Sequence, residues 1–212
     1  MQILLLLAHA DDESLGAGGA VQKWLSEGHQ IQLIIVSDGV VGMREGAADN
    51  RDALYAASKK LGIENVQTLN FPDQQFEMHP IASIANKASQ AISETPDLIV
   101  SHSNKDLNQD HRITAEVAKI IGRPRGKQTA IIACEIPSVA TWNGERFAPQ
   151  LYVPLTAKQL QTKIEAFGCY QNELRSFPDP YSAKGLEVMA QFRGQESGHN
   201  AAEAFEVIRW YA

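Results

Sequence analysis

Three short apolar runs constrain the fold of this chain most strongly. Residues 2–8 (QILLLLA), 31–37 (IQLIIVS) and 97–102 (DLIVSH) consist mainly of Leu, Ile and Val. Near-continuous runs of this length are typical of parallel strands that are buried on both faces of a sheet. Weaker patterns of the same kind predict two further strands, at 66–70 and 129–135.

Stretches with helical periodicity separate these strands. They cover residues 14–27, 48–61, 80–92 and 111–122. Three of them are followed by glycine, as helix C-termini commonly are: Gly28, Gly62 and Gly122. Strands that alternate with helices predict an α/β fold, here a Rossmann-like, doubly wound and mostly parallel sheet with helices on both faces.

The C-terminal third of the chain has a weaker pattern. From about residue 136 the sequence contains several prolines and aromatic residues, followed by helical patterns near 157–172 and 182–193. No Gly/Ser-rich linker precedes this region. We therefore expect a single domain, 1–212, in which residues 136–212 form a small C-terminal cover.

Composition narrows the classes of partner. The net charge is −6 and the basic residues are scattered, so no nucleic-acid partner is expected. No apolar run approaches the roughly 18 residues that cross a bilayer, and the first run lacks a basic leader, so neither a membrane partner nor a signal peptide is expected. Cys134 and Cys169 are far apart, which predicts no disulfide framework and a cytoplasmic location. A homo-oligomer stays open.

Polar clusters follow the predicted strands. In doubly wound sheets, ligands bind beyond the carboxyl ends of the strands. The clusters 9–13, 37–39, 71–73 and 102–111 each come directly after one strand. All four are therefore expected at one edge of the sheet.

The first cluster has two explanations. Asp11, Asp12 and Glu13 begin a helix, where capping and the macrodipole favour carboxylates without any catalytic role. The later cluster favours a functional explanation, because His111 would reach His9 and Asp12 if the first and fourth strands were neighbours. Two His and one Asp with an open fourth position are typical of a hydrolytic zinc site.

The two clusters also carry a family resemblance. His9-Ala10-Asp11-Asp12-Glu13, followed by glycines at 16, 18 and 19, resembles the opening motif of the PIG-L or LmbE-like deacetylases. Asn108-Gln109-Asp110-His111-Arg112 resembles their second metal motif. Weaker similarities extend over nearly the whole chain.

This resemblance implies a Zn²⁺-dependent hydrolase that removes the N-acetyl group from a sugar or sugar conjugate, an N-acetylglucosamine-like small molecule. It implies that the metal is held by His9, Asp12 and His111. Fe²⁺ or Co²⁺ could occupy the same ligands. It further implies that Asp11 is the general base and that Arg51 and Asp38 orient the substrate, with Arg44 as an alternative to Arg51.

One departure concerns the proton-transfer groups. Many family members have His where this chain has Asn108, and Asn can donate to an oxyanion but cannot carry a proton. Asp110 would then orient its neighbours. The identity of the general acid and the roles of His102 and His199 stay open. The alternatives are a zinc amidase for another amide, such as a thiol conjugate, and a non-catalytic sugar- or nucleotide-binding module.

Overall fold

A seven-stranded sheet with helices on both faces forms the molecule. The computed structural model describes residues 1–40, 49–140, 142 and 144–211. The first five strands are β1 (Gln2–Leu7), β2 (Gln30–Ser37), β3 (Asn65–Phe71), β4 (Leu98–His102) and β5 (Ala130–Cys134). They are followed by β6 (Leu151–Pro154) and β7 (Ala202–Arg209). The helices are α1 (Asp12–Ser26), α2 (Arg51–Leu61), α3 (Ile81–Ala91), α4 (Gln109–Ile121), α5 (Ala157–Phe167) and α6 (Ala183–Ser197).

β1 lies in the middle of the five parallel strands. The order is β3-β2-β1-β4-β5-β7-β6, and the first five strands in this order are parallel. β7 runs antiparallel to both β5 and β6. Because β1 pairs directly with β4, the loops that follow these two strands meet at the same edge.

Two apolar cores cover the two faces of the sheet. Along β1, Ile3, Leu5 and Leu7 face the core formed with α1, α2, α5 and α6. The alternate residues Leu4 and Leu6 face the core formed with α3 and α4. This alternation is the period-two geometry of a strand, and it confirms the predicted sheet with helices on both faces.

The C-terminal region contains two strands that the sequence analysis did not predict. It packs α5 and α6 onto the sheet, but it also contributes the strands β6 and β7, which were not predicted. Two buried carboxylates, Glu203 and Glu206, interrupt the apolar pattern of β7. The predicted helix 157–172 ends at Phe167, because a turn with Gly168 follows. Residue 48 of the predicted helix 48–61 lies outside the described residues.

Close packing explains two glycines of α1. A Cβ atom on Gly16 would lie 2.6 Å from the Cys134 sulfur, and one on Gly19 would lie 2.5 Å from Leu155 Cδ1. These glycines let α1 approach β5 and the segment before α5. Both cysteines are free. Within the described ranges, every helix is too short or too polar to cross a bilayer.

Candidate active site and metal centre

A cavity of about 150 Å³ lies at the carboxyl edge of the parallel strands. The loops after β1, β3 and β4 form most of its wall, as the order of polar clusters predicted. The rest of the wall comes from other parts of the chain: Asn50, Val139, Glu173 and Tyr181. The predicted residues His9, Asp11, Asp12, Asn108 and His111 all line this cavity.

The three predicted metal ligands converge. His9 Nδ1 lies 3.1 Å from His111 Nε2. Asp12 Oδ2 lies 3.7 Å from His9 Nδ1, and Asp12 Oδ1 lies 3.5 Å from His111 Nε2. Zinc bonds of 2.0–2.1 Å in a tetrahedron place neighbouring ligand atoms about 3.3 Å apart. The donor types and their separations therefore fit a divalent metal ion.

Carboxylates lie beside the second ring nitrogen of each candidate histidine ligand. Asp106 Oδ2 lies 3.0 Å from His111 Nδ1. Asp110 Oδ2 and Asp73 Oδ1 each lie 3.1 Å from His9 Nε2. Carboxylate–histidine pairs of this kind set the tautomer and orientation of metal-binding rings. Asp106 was missed from the sequence, although an aspartate five residues before a candidate histidine ligand at a helix start could have indicated it.

Asp110 acts through other residues. Besides His9, it accepts hydrogen bonds from the backbone N–H groups of Gln74 (2.8 Å) and Phe76 (3.3 Å). It therefore fixes the loop after β3 as well as the His9 ring. The orienting role predicted for Asp110 is compatible with these contacts and stays a prediction.

His102 contacts two of the candidate ligands. Its Nε2 accepts a hydrogen bond from Ala8 N (2.9 Å) and lies 3.3 Å from Asp12 Oδ2. Its ring stacks on His111 with a centroid distance of 3.9 Å. Nδ1 of His102 is buried and has no hydrogen-bond partner among the described residues. His102 thus contacts Asp12 and His111 without lining the cavity.

Charge interactions favour an ionised Asp12 beside imidazole groups. Burial opposes ionisation of Asp12, but attraction to His111 and His102 holds its pKa below the usual range. Burial likewise opposes a charge on His111, and attraction to Asp12 and Asp106 raises its pKa. The lining residues that the structure describes include no Lys or Arg. A divalent cation would balance the carboxylates of this cavity.

Asp11 occupies an unusual backbone conformation. It immediately precedes α1 with φ 129° and ψ −27°, and its side chain forms no capping hydrogen bond. The carboxylate of Asp12 accepts from His9 N at 2.8 Å. Burial raises the pKa of Asp11 well above its ordinary value, and repulsion from Asp12 adds to this effect. Side-chain capping therefore does not explain these two carboxylates.

Asn108 has a structural role at the second loop. It caps α4, because its Oδ1 accepts a hydrogen bond from Asp110 N at 2.9 Å. This bond turns the acceptor end of the amide toward the helix. The Nδ2 group makes no hydrogen bond to a described residue and remains able to donate.

The predicted substrate-binding residues lie outside this lining. Arg51 is exposed and binds Asp49, which lowers the pKa of Asp49 to about 2. Asp38 accepts a hydrogen bond from Val40 N at 3.0 Å. Among the described residues, Asn50 lines the cavity in place of its neighbour Arg51. The roles of Arg51 and Asp38 stay predictions, and Arg44 lies outside the described residues.

His199, whose role the sequence left open, does not line the cavity. His199 is exposed, with Nδ1 3.3 Å from Ser197 Oγ. Sequence reasoning also missed Glu173 and Tyr181, which line the cavity from the C-terminal region. No local signal marks these two residues, because they follow no parallel strand and reach the site only through the packing of α5 and α6.

Comparison with known proteins agrees with the geometry. Residues 4–121 match the model of the PIG-L family, described as GlcNAc-PI de-N-acetylase. A diacetylchitobiose deacetylase of Thermococcus kodakarensis is 21% identical over 98% of this chain and 83% of its own length. A crystal structure of the N,N'-diacetylchitobiose deacetylase of Pyrococcus horikoshii matches with a TM-score of 0.76, at 19% identity over 98% of this chain and 83% of that one.

The same fold also occurs in an enzyme of another type. GalB of Pseudomonas putida KT2440, a 4-carboxy-2-hydroxymuconate hydratase, matches with a TM-score of 0.77 and 19% identity over 100% of this chain and 97% of that one. Fold alone therefore does not decide the reaction. The family match covers more than half of the chain and includes both candidate histidine ligands, and on this ground the chain belongs to the PIG-L family.

Proposed function

We propose that this protein is a zinc-dependent hydrolase that removes the N-acetyl group from a sugar or sugar conjugate. The observation that carries the proposal is the convergence of His9, Asp12 and His111 at the wall of one cavity, with Asp11 beside them. The family description and the named deacetylase relatives support the choice of an N-acetyl group.

The metal and the chain would have separate tasks. A divalent metal held by His9, Asp12 and His111 would acidify a water molecule and polarise the acyl carbonyl. Asp11 accepts the proton of the attacking water and returns it to the leaving nitrogen, as a general base and then a general acid. The acyl carbon–nitrogen bond breaks, and acetate and a free amine result.

A neutral donor in the same cavity as Asp11 suits the developing negative charge on the acyl oxygen. The Asn108 amide lines the cavity with its Nδ2 group unpaired among the described residues. A donor placed at an oxyanion is worth about 10²–10³-fold in rate in other hydrolases. Asn108 would supply the hydrogen bond, while Asp11 alone carries the proton.

The charge of the cavity supports an uncharged sugar amide. Four carboxylates line it, Asp11, Asp12, Asp73 and Glu173, and no described lining residue is Lys or Arg. A phosphate or carboxylate next to the scissile amide would therefore find no cationic side chain among these lining residues to pair with. An N-acetylated neutral sugar needs no such partner.

A substrate panel tests the proposal. Purified zinc-loaded protein is given N-acetylglucosamine, diacetylchitobiose, an amide of a sugar–thiol conjugate, an acetylated peptide and an unsaturated dicarboxylate that a hydratase would accept. We expect acetate release from one of the first two substrates. Asp11→Asn, which keeps all three metal ligands, is the control for a contaminating hydrolase and should lose at least about 100-fold in rate.

Each of the other outcomes would contradict the proposed deacetylase activity and support one alternative function. Cleavage of the thiol-conjugate amide alone would support the broader amidase alternative. Hydration of the dicarboxylate would place the protein with hydratases of this fold. Zinc binding without turnover of any substrate would favour a binding module.

A further inference from the structure

Glu13 is a buried carboxylate that the proposed proton transfer does not use. Its side chain is fully buried at the start of α1. Three neutral donors hold it: the Tyr170 hydroxyl (2.7 Å) and the Ser14 hydroxyl (2.6 Å) bind Oε1, and Asp11 N (3.1 Å) binds Oε2. Burial of a carboxylate without hydrogen-bond partners would be very costly in free energy, and these three hydrogen bonds together offset that cost for Glu13.

One of these hydrogen bonds acts on the proposed general base. Asp11 has φ 129°, a value that residues with a side chain rarely adopt, and such conformations persist only where surrounding contacts hold them. Glu13 binds the N–H of Asp11, while the Asp11 carbonyl accepts from Ser14 N and Leu15 N at 3.0 Å each. Both polar groups of the Asp11 backbone are thus held.

Tyr170 connects the C-terminal region to Glu13 through its hydroxyl. It lies in the turn after α5, and its ring is fully buried beside Phe167, with a centroid distance of 6.4 Å. Burial and the nearby Glu13 raise the pKa of the Tyr170 hydroxyl well above its usual value. The hydroxyl therefore keeps its proton and donates a hydrogen bond to Glu13. Residues 157 positions apart therefore meet next to the site.

We propose that Glu13 and Tyr170 are positioning residues that hold the Asp11 backbone, and so its carboxylate, in the orientation needed for proton transfer. This inference rests on the proposed function, because it gives Asp11 the proton-transfer role. Neither residue lines the cavity wall within the described part of the chain. They act through Asp11 and do not touch the reacting atoms.

Tyr170→Phe tests this role, because it removes one hydroxyl and keeps the buried ring. We expect kcat for acetate release to fall by about 10- to 100-fold, the range typical of residues that orient catalytic groups. KM and the zinc content per folded chain should stay within about twofold of the wild type, because the ligands and the cavity wall are intact. A residue needed only for stability would lower the amount of folded protein and leave kcat per folded chain unchanged.

Tyr152→Phe is the matched control. Tyr152 also belongs to the C-terminal region and also donates its hydroxyl to a carboxylate, Glu196 Oε2 at 3.3 Å, but it does not line the cavity. This variant should keep wild-type kcat. If Tyr170→Phe does not fold, Ser14→Ala removes the second donor to the same Glu13 oxygen and is expected to lower kcat with KM unchanged.

Three results would overturn the inference. Wild-type kcat in Tyr170→Phe, or in Ser14→Ala where that variant replaces it, would show that Glu13 needs no such support. A loss of kcat that follows the loss of zinc would assign the effect to the metal ligands. A wild type that hydrolyses no N-acetyl substrate would refute the proposed function itself and with it the proton-transfer role of Asp11.

Discussion

The two parts of the chain contribute to the site in different ways. The parallel part, residues 1–135, carries all predicted metal and proton-transfer residues, which lie in the loops after β1 and β4 and in the first turns of α1 and α4. The C-terminal region carries no candidate metal ligand among its described residues. It contributes buried polar contacts to the other part instead, through Lys163, Tyr170 and Arg193. Chemistry and its support therefore come from separate segments.

A buried ion pair shows how this support works. Lys163 Nζ and Glu203 Oε1 lie 2.5 Å apart, and their side chains are 6% and 4% exposed. Glu203 accepts from the N–H groups of Gly19 (3.0 Å) and Ala20 (2.6 Å), and Lys163 donates to Leu15 O at 2.7 Å. In a regular helix, Gly19 N would bind Leu15 O. The C-terminal region thus binds the interior of α1, the helix whose first residue is Asp12.

The largest predicted effect concerns metal binding, which we assign to the parallel part of the chain. His111→Ala should abolish stoichiometric zinc and lower activity by about 1,000-fold or more, because a metal contributes several kcal/mol to such transition states. Metal content and acetate release measure this, and chelation of the wild type should have the same effect. His199→Ala, an exposed histidine of the C-terminal region, is the control and should keep both. Full zinc in His111→Ala would contradict the ligand set.

The next effect tests the supporting role of the C-terminal region. Lys163→Met leaves the Glu203 carboxylate buried without its cation, which should lower the free energy of unfolding by about 3–5 kcal/mol. Urea unfolding measures this difference. Lys184→Met removes an exposed lysine that pairs with Glu187 on α6 and should cost at most about 0.5 kcal/mol. Equal losses in the two variants would show that burial of the first pair has no special importance.

The two cysteines, one in each part of the chain, differ in burial. This difference predicts different effects of pH on the free energy of unfolding. Burial raises the pKa of the Cys134 thiol in β5 well above its ordinary value of 9.0, whereas Cys169 after α5 is partly exposed. The folded thiol keeps its proton where the unfolded thiol loses it. Its contribution to stability is therefore complete below about pH 9 and declines as pH rises, by at most about 1.4 kcal/mol per pH unit.

Cys134→Ala should make this alkaline loss less steep. Urea unfolding at pH 7.5, 9 and 10 measures the slope for the wild type and for both alanine variants. Cys169→Ala is the control and should change the slope less, since its thiol is less buried. A wild-type slope in Cys134→Ala would mean that the thiol also ionises in the folded protein.

The smallest effect concerns the predicted substrate contact at the edge of the parallel part. Arg51→Ala should raise KM by about three- to tenfold with kcat unchanged, as expected for one hydrogen bond of about 1 kcal/mol to the bound sugar. Steady-state kinetics measure both constants. Arg123→Ala, beyond the C-terminal end of α4, is the control. An unchanged KM would restrict substrate contacts to the cavity lining.

Local patterns predicted the parallel part well. β1, β2 and β4 are apolar enough to be recognised, and their carboxyl ends locate the loops of His9 and His111. The prediction was poorer where charged residues are buried, because Glu203 and Glu206 hide the strand character of β7. Glu173 and Tyr181 could not be predicted as cavity residues, since no motif links them to a strand end.

The sequence by itself determined the order of strands and helices up to β5 and the types of the candidate metal ligands, because these depend on neighbouring residues and on short motifs. Only the tertiary structure decided which groups hold those ligands and the Asp11 backbone. Asp73 and Tyr170 reach their partners through strand pairing and helix packing, and such contacts depend on the arrangement of the whole sheet.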